Sequence, residues 1–65
     1  MKRVRYTAKI IGYIAHDYAS IIRILGTKQP EGCIYHNLSI DYPDMKLEDA
    51  RIIVEILEKE GFIDD

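Results

Sequence analysis

The chain has 65 residues, a formal net charge of −2 and a single cysteine, Cys33. That length allows one small domain burying ~60% of its unfolded surface, and one thiol excludes a disulfide staple within the chain. With no tryptophan and one phenylalanine, the core has to come from the twelve isoleucines, the other aliphatics and tyrosine.

No apolar run approaches the ~20 residues of a membrane span, and no uninterrupted apolar segment of signal type follows Met1. A lone thiol fits a reducing compartment, so the expected location is cytoplasmic. Charge is divided unevenly along the chain. Residues 1–28 carry six bases against Asp17, whereas residues 29–65 carry three bases against ten acids. Such halves can attract each other, within a chain or between chains, and the basic end can also meet a polyanion. The alternative is two ordinary solvated faces.

In chain order, Met1 to Arg5 reads as a basic arm. Val4, Thr7, Ile11, Ile14, Tyr18, Ile21 and Leu25 then follow in alternating steps of three and four. This is a heptad stripe, and it predicts a helix from about Tyr6 to Leu25 stopped by Gly26. A break near His16 and Asp17 is the alternative. Ile10, Tyr13, Ile22 and Ile24 widen the apolar face beyond a narrow seam. Two short partner elements cannot cover so broad a face, so Ile11, Ile14, Tyr18, Ile21 and Leu25 are expected to form a homodimer or partner contact. The plain alternative is an intramolecular core helix. Gly12 weakens the helix by roughly 1 kcal/mol relative to Ala and permits a neighbour to approach closely.

Thr27 to Gly32 is a polar turn in which Pro30 suits the first position of a helix. Cys33 to Ile40 is ambiguous. Ile34 and Leu38 are spaced as on a helix face, and Ile34, Leu38 and Ile40 as on a strand face. A short helix is preferred, with the strand left open. Asp41 to Asp44 is a turn: Pro43 excludes Tyr42 from the helical region, and Asp44 suits an N-cap. A last helix, about Met45 to Glu60, buries Leu47, Ala50, Ile53, Val54 and Leu57, with Ile56 alongside. Gly61 ends it, and Phe62 and Ile63 turn back onto the core.

This order of elements, closing on Val54, Leu57, Glu58, Gly61 and Ile63, resembles a winged-helix or related tri-helical helix-turn-helix domain over about residues 20–63. The resemblance implies an all-α, or mainly α, fold in one domain spanning 1–65 with a basic arm at 1–5. The chain ends at Asp65, which leaves room for at most a stub β-hairpin in place of a wing. It also implies a small DNA-binding transcriptional regulator whose last helix would read the major groove. The outer positions of that helix are acidic: Glu48, Asp49, Glu55, Glu58 and Glu60 against Arg51 and Lys59. Affinity for duplex DNA rests largely on bases that release counterions. DNA contact is therefore expected mainly from Lys2, Arg3, Arg5 and Lys9, with Lys46 as a phosphate partner and Arg51 as a guanine contact. The other reading is a protein-interaction module of the same fold, using the acidic last helix or the apolar stripe.

Enzymatic chemistry is not expected. Cys33-x-x-His36 is half of a zinc motif, and no second close pair completes it. Cys33 as a nucleophile lacks an orienting group beyond His36. The four glycines are isolated, so no phosphate-binding loop is present. No metal or other cofactor is expected. Tyr6, between Arg5 and Lys9, could stack a nucleobase. Tyr18 is expected in the core, and Tyr35 and Tyr42 at an interface.

Overall fold

A computed structural model describes residues 6–64 and shows a mainly α domain. Its elements are α1 (Ala8–Leu25), β1 (Gln29–Pro30), α2 (Glu31–Asp41), α3 (Leu47–Lys59) and β2 (Ile63–Asp64). Helix α3 is central, since both α1 and α2 pack against it.

Helix α1 is continuous through His16 and Asp17. Thr7 is its N-cap, and the Thr7 hydroxyl accepts from the Ile10 N–H at 3.3 Å. Thr7 therefore caps the helix and does not belong to the apolar stripe. At the other end Gly26 adopts φ 74°, and its N–H donates to the Ile22 carbonyl at 2.9 Å. Gly12 is exposed, and nothing lies within 4 Å of where its Cβ would be. The close approach expected at Gly12 is not made.

The buried face of α1 departs from the heptad. Ile11, Ile14, Ala15, Tyr18, Ala19 and Ile22 are buried, while Ile21 and Leu25 are exposed. A straight helix has 3.6 residues per turn, so a strict 3.5-residue stripe drifts by ~20° per heptad. The buried stripe is Ile11, Ile14, Ala15, Tyr18, Ala19 and Ile22, with Ile22 replacing Ile21.

The ambiguous segment is helical, and Pro30 is its N-cap, one residue earlier than expected. Ile34 and Leu38 are its buried residues, whereas Ile40 is exposed. Tyr42 leaves the helical region ahead of Pro43, at φ −131° and ψ 70°. The Met45 N–H then closes the turn on the Tyr42 carbonyl at 2.9 Å.

Helix α3 starts at Leu47 with Lys46, not Asp44, at the N-cap, and no side chain caps it. Glu48 and Asp49 stand in its first turn, where negative charge offsets the positive end of the helix dipole. Ala50, Ile53, Val54 and Leu57 are buried, while Leu47 is exposed against expectation. The C-terminal end is a Schellman closure. The Phe62 N–H donates to the Leu57 carbonyl at 2.9 Å, and the Gly61 N–H to the Glu58 carbonyl at 3.1 Å, with Gly61 at φ 82°. This closure turns Ile63 into the core and leaves Phe62 half-buried against it.

Strand β2 pairs in parallel with β1, Gln29 opposite Ile63 and Pro30 opposite Asp64. The stub expected after the last helix is therefore a parallel pair and not a hairpin. Its partner is the α1–α2 connection, held also by the Gln29 N–H donating to the Phe62 carbonyl at 3.1 Å.

Two glycine substitutions test these assignments. Gly12→Ala should raise the unfolding free energy by about 1 kcal/mol, since the methyl meets nothing and helix propensity improves. Gly61→Ala should lower it by about 1 kcal/mol or more, because alanine resists the left-handed conformation. Each kcal/mol corresponds to a melting shift of roughly 4–8 °C at this size, readable by circular dichroism.

Candidate interaction surface

Once α1 has covered α3, a second apolar face remains on it. Ile10, Tyr13, Ile21, Ile24 and Leu25 are 37%, 61%, 55%, 84% and 61% exposed. Ile10, Tyr13, Asp17, Ile21 and Ile24 follow one another in steps of three, four, four and three, which places them on one side of a helix. Leu25, four residues after Ile21, extends the same side. Asp17 is exposed and is the only charged residue within this row. The row lies beside the buried stripe because isoleucine and tyrosine cover more of the α1 circumference than α3 and α2 occupy.

Of the five residues expected at a homodimer or partner contact, Ile11, Ile14 and Tyr18 are buried within the chain, and only Ile21 and Leu25 face outward. The outward apolar surface is completed instead by Ile10, Tyr13 and Ile24. In the sequence these three read as a widening of the stripe. Spacing could not say which side of a broad apolar helix its neighbours would cover.

A second feature is an open groove of about 490 Å³ between α2 and the start of α3. Tyr35, Leu38, Tyr42, Met45, Leu47 and Arg51 line it, and Glu31 stands at its edge. Its wall mixes half-buried aromatic and aliphatic side chains with one cation and one anion.

The residues expected to touch DNA come from the N-terminal end of the chain and from the start of α3. Lys2, Arg3 and Arg5 lie outside the described residues. Lys9 is exposed in the first turn of α1, Lys46 at the N-cap of α3, and Arg51 on the second turn of α3. Arg51 shares the exposed surface of α3 with Glu48, Glu55 and Glu58. Where the arm joins the fold, Tyr6 packs edge-on against Tyr42 with ring centroids 6.1 Å apart. Burial raises the Tyr6 pKa, and the nearby Asp44, Tyr42 and Asp49 raise it further. The base of the arm is therefore an acidic neighbourhood, and Tyr6 is half-buried against the protein.

Cys33 and His36 are both exposed on α2. Among the described residues, no three His, Cys, Asp or Glu side chains converge as metal ligands would. Among the same residues, no helix is long and apolar enough to cross a membrane.

One polar link was not legible in the sequence. The Tyr18 hydroxyl donates to Asp41 Oδ2 at 2.7 Å, across 23 residues, and ties α1 to the end of α2. Burial, then this hydrogen bond and the charge of Asp41, push the Tyr18 pKa well above its ordinary value. In the last turn of α1, the Arg23 guanidinium lies over the Phe62 ring, 5.7 Å from its centroid. Neither link uses a residue of the Ile10–Ile24 row.

No family model matches the chain, and no curated protein or solved structure matches it at a significant level.

Tyr18→Phe should cost about 1 kcal/mol at neutral pH, the usual scale for losing a hydrogen bond to a carboxylate that stays in contact with water. Because the folded-state pKa of Tyr18 is raised, its contribution is complete below about pH 10 and falls as pH rises beyond it. Denaturant titrations at neutral pH and above about pH 10 should show the gap between wild type and Tyr18→Phe closing on the alkaline side.

Proposed function

We propose that this protein is a small interaction module that docks another protein through the outer side of α1. The observation that carries this reading is the exposed row of Ile10, Tyr13, Ile21, Ile24 and Leu25, left over after the core is complete. Together these residues expose several hundred Å², mostly apolar, which is comparable with the largest patch on a typical monomer. Keeping such a surface in water is unfavourable, and covering it with a partner recovers ~25 cal/mol per Å² before the costs of association. A cytoplasmic location is part of the same proposal, on the exposed free thiol of Cys33.

A second reading is duplex DNA binding by a winged-helix-like domain. It has in its favour the exposed Lys46 and Arg51 at the start of α3. Glu48, Glu55 and Glu58 on the exposed side of that helix oppose it, since carboxylates repel the phosphates that flank a groove.

Two measurements separate the readings. In a titration of the protein into random duplex DNA, the interaction module should show no saturable binding at about 20 mM salt, where phosphate contacts are strongest. Tight binding that fades at about 150 mM salt would establish the DNA reading instead. In that case, changing Lys2, Arg3 and Arg5 to Ala should weaken it more than Arg51→Ala does. The second measurement places a photo-reactive residue at position 24 in the host cell. A covalent protein adduct that is absent when the same group stands at position 16 is the expected result. No adduct at position 24 would overturn the interaction reading.

A further inference from the structure

Resting on that reading, we infer that the occupant of the α1 row is a second copy of the same chain. The two α1 helices run antiparallel about a two-fold axis at Asp17.

The spacing of the row carries the inference. Ile10, Tyr13, Asp17, Ile21 and Ile24 are symmetric about Asp17: Tyr13 and Ile21 each stand four residues from it, and Ile10 and Ile24 each seven. A two-fold interface has to be self-complementary, so that when residue i meets residue j, j also meets i. An antiparallel copy centred on Asp17 satisfies this for Ile10, Tyr13, Ile21 and Ile24, and sets Leu25 opposite Lys9. Ile10 meets Ile24 of the other copy, Tyr13 meets Ile21, and each pair recurs on the far side of the axis. A parallel copy in register would set Ile10 on Ile10 and Tyr13 on Tyr13. That arrangement is also self-complementary, but it sets the two helix dipoles side by side in the same sense and keeps Lys9 at the level of the other copy's first turn. Position along the helix also suits the antiparallel arrangement. Lys9 reaches the level of the other copy's last turn, where free carbonyls favour a cation.

The area fits as well. Covering most of both rows would bury on the order of 1,000 Å² in total, at the low end of specific interfaces. Most of the row can be covered without unfolding anything, because Tyr13, Ile21, Ile24 and Leu25 are already more than half exposed.

Asp17 sets the strength of the association. On the axis each carboxylate faces its own copy, and like charges placed opposite each other oppose docking. The apolar pairs drive association, and the Asp17 pair keeps it weak and reversible. The mass then moves between 7.6 kDa and twice that value with concentration.

The test combines sedimentation with cysteine cross-linking in the intact chain. Wild type should shift from monomer toward dimer between about 10 μM and 1 mM. Ile24→Glu should remain monomeric throughout with an unchanged helical melt, since the side chain it replaces is 84% exposed. Asp17→Asn should tighten the dimer by about tenfold or more. In a Cys33→Ser background, Asp17→Cys should oxidise rapidly to a disulfide-linked dimer. Ile24→Cys alone should not, because its two copies stand about 20 Å apart along the axis. A mixture of Ile10→Cys and Ile24→Cys chains should cross-link to each other. A wild type that stays monomeric to about 1 mM overturns the inference. So does an Asp17→Asn change that leaves the association unaltered or weaker, or self-linking of Ile24→Cys faster than Asp17→Cys. The photo-adduct at position 24 separates this failure from that of the wider reading. A product of twice the chain mass supports the second copy. An adduct of any other mass overturns the second copy while the interaction reading stands, and no adduct overturns both.

Discussion

Ile53 and Leu57 of α3 are fully buried, and the rest of the domain is arranged to keep them so. They stand four residues apart on one side of the helix, where α1 and α2 both pack. Full burial of an aliphatic side chain of this size is worth roughly 2 kcal/mol, a large share of the few kcal/mol by which a domain this small is stable. The small residues of the core assist, since Ala15 and Ala19 on α1 and Ala50 on α3 are buried alongside the isoleucines. The C-terminal Schellman closure serves the same centre. It carries Ile63 into the core directly after the helix ends, and the parallel pairing with Gln29 and Pro30 holds it there.

That centre decides what α1 has left over. The helix can turn only one arc toward the core, and that arc holds Ile11, Ile14, Ala15, Tyr18, Ala19 and Ile22. The Tyr18–Asp41 hydrogen bond in mid-helix and the Arg23–Phe62 contact in the last turn then fix the rotation of α1. With the rotation fixed, the remaining apolar positions become a surface. The outer row is a consequence of core packing, and it is the surface on which the proposed interaction rests.

Charge has a more local meaning than its uneven distribution suggests. Glu48 and Asp49 lie in the first turn of a helix that no side chain caps, where negative charge is favourable. Asp41 accepts the Tyr18 hydroxyl. Asp44 and Asp49 lie close enough to Tyr6 to raise its pKa. Several acids of the second half therefore have structural work near α1 or at a helix end.

The sequence by itself determined the mainly α class, the two long amphipathic helices and their glycine stops. These depend on interactions within a few residues: apolar periodicity, and the left-handed conformation that Gly26 and Gly61 accept cheaply. It also indicated the turn at Tyr42 and Pro43, where proline acts on its own neighbour. The helix at residues 31–41 could only be preferred, because Ile34 and Leu38 alone suit either periodicity. Tertiary structure decided which arc of α1 is core, and so replaced Ile21 with Ile22 and released Ile10, Tyr13 and Ile24 to the surface. It also paired the end of the chain with the α1–α2 connection instead of with itself. Both outcomes depend on contacts between residues far apart in sequence, where pattern carries no information about the neighbour. A stripe shows that one side of a helix must be covered, whereas only the packed neighbours determine which side and how much of it.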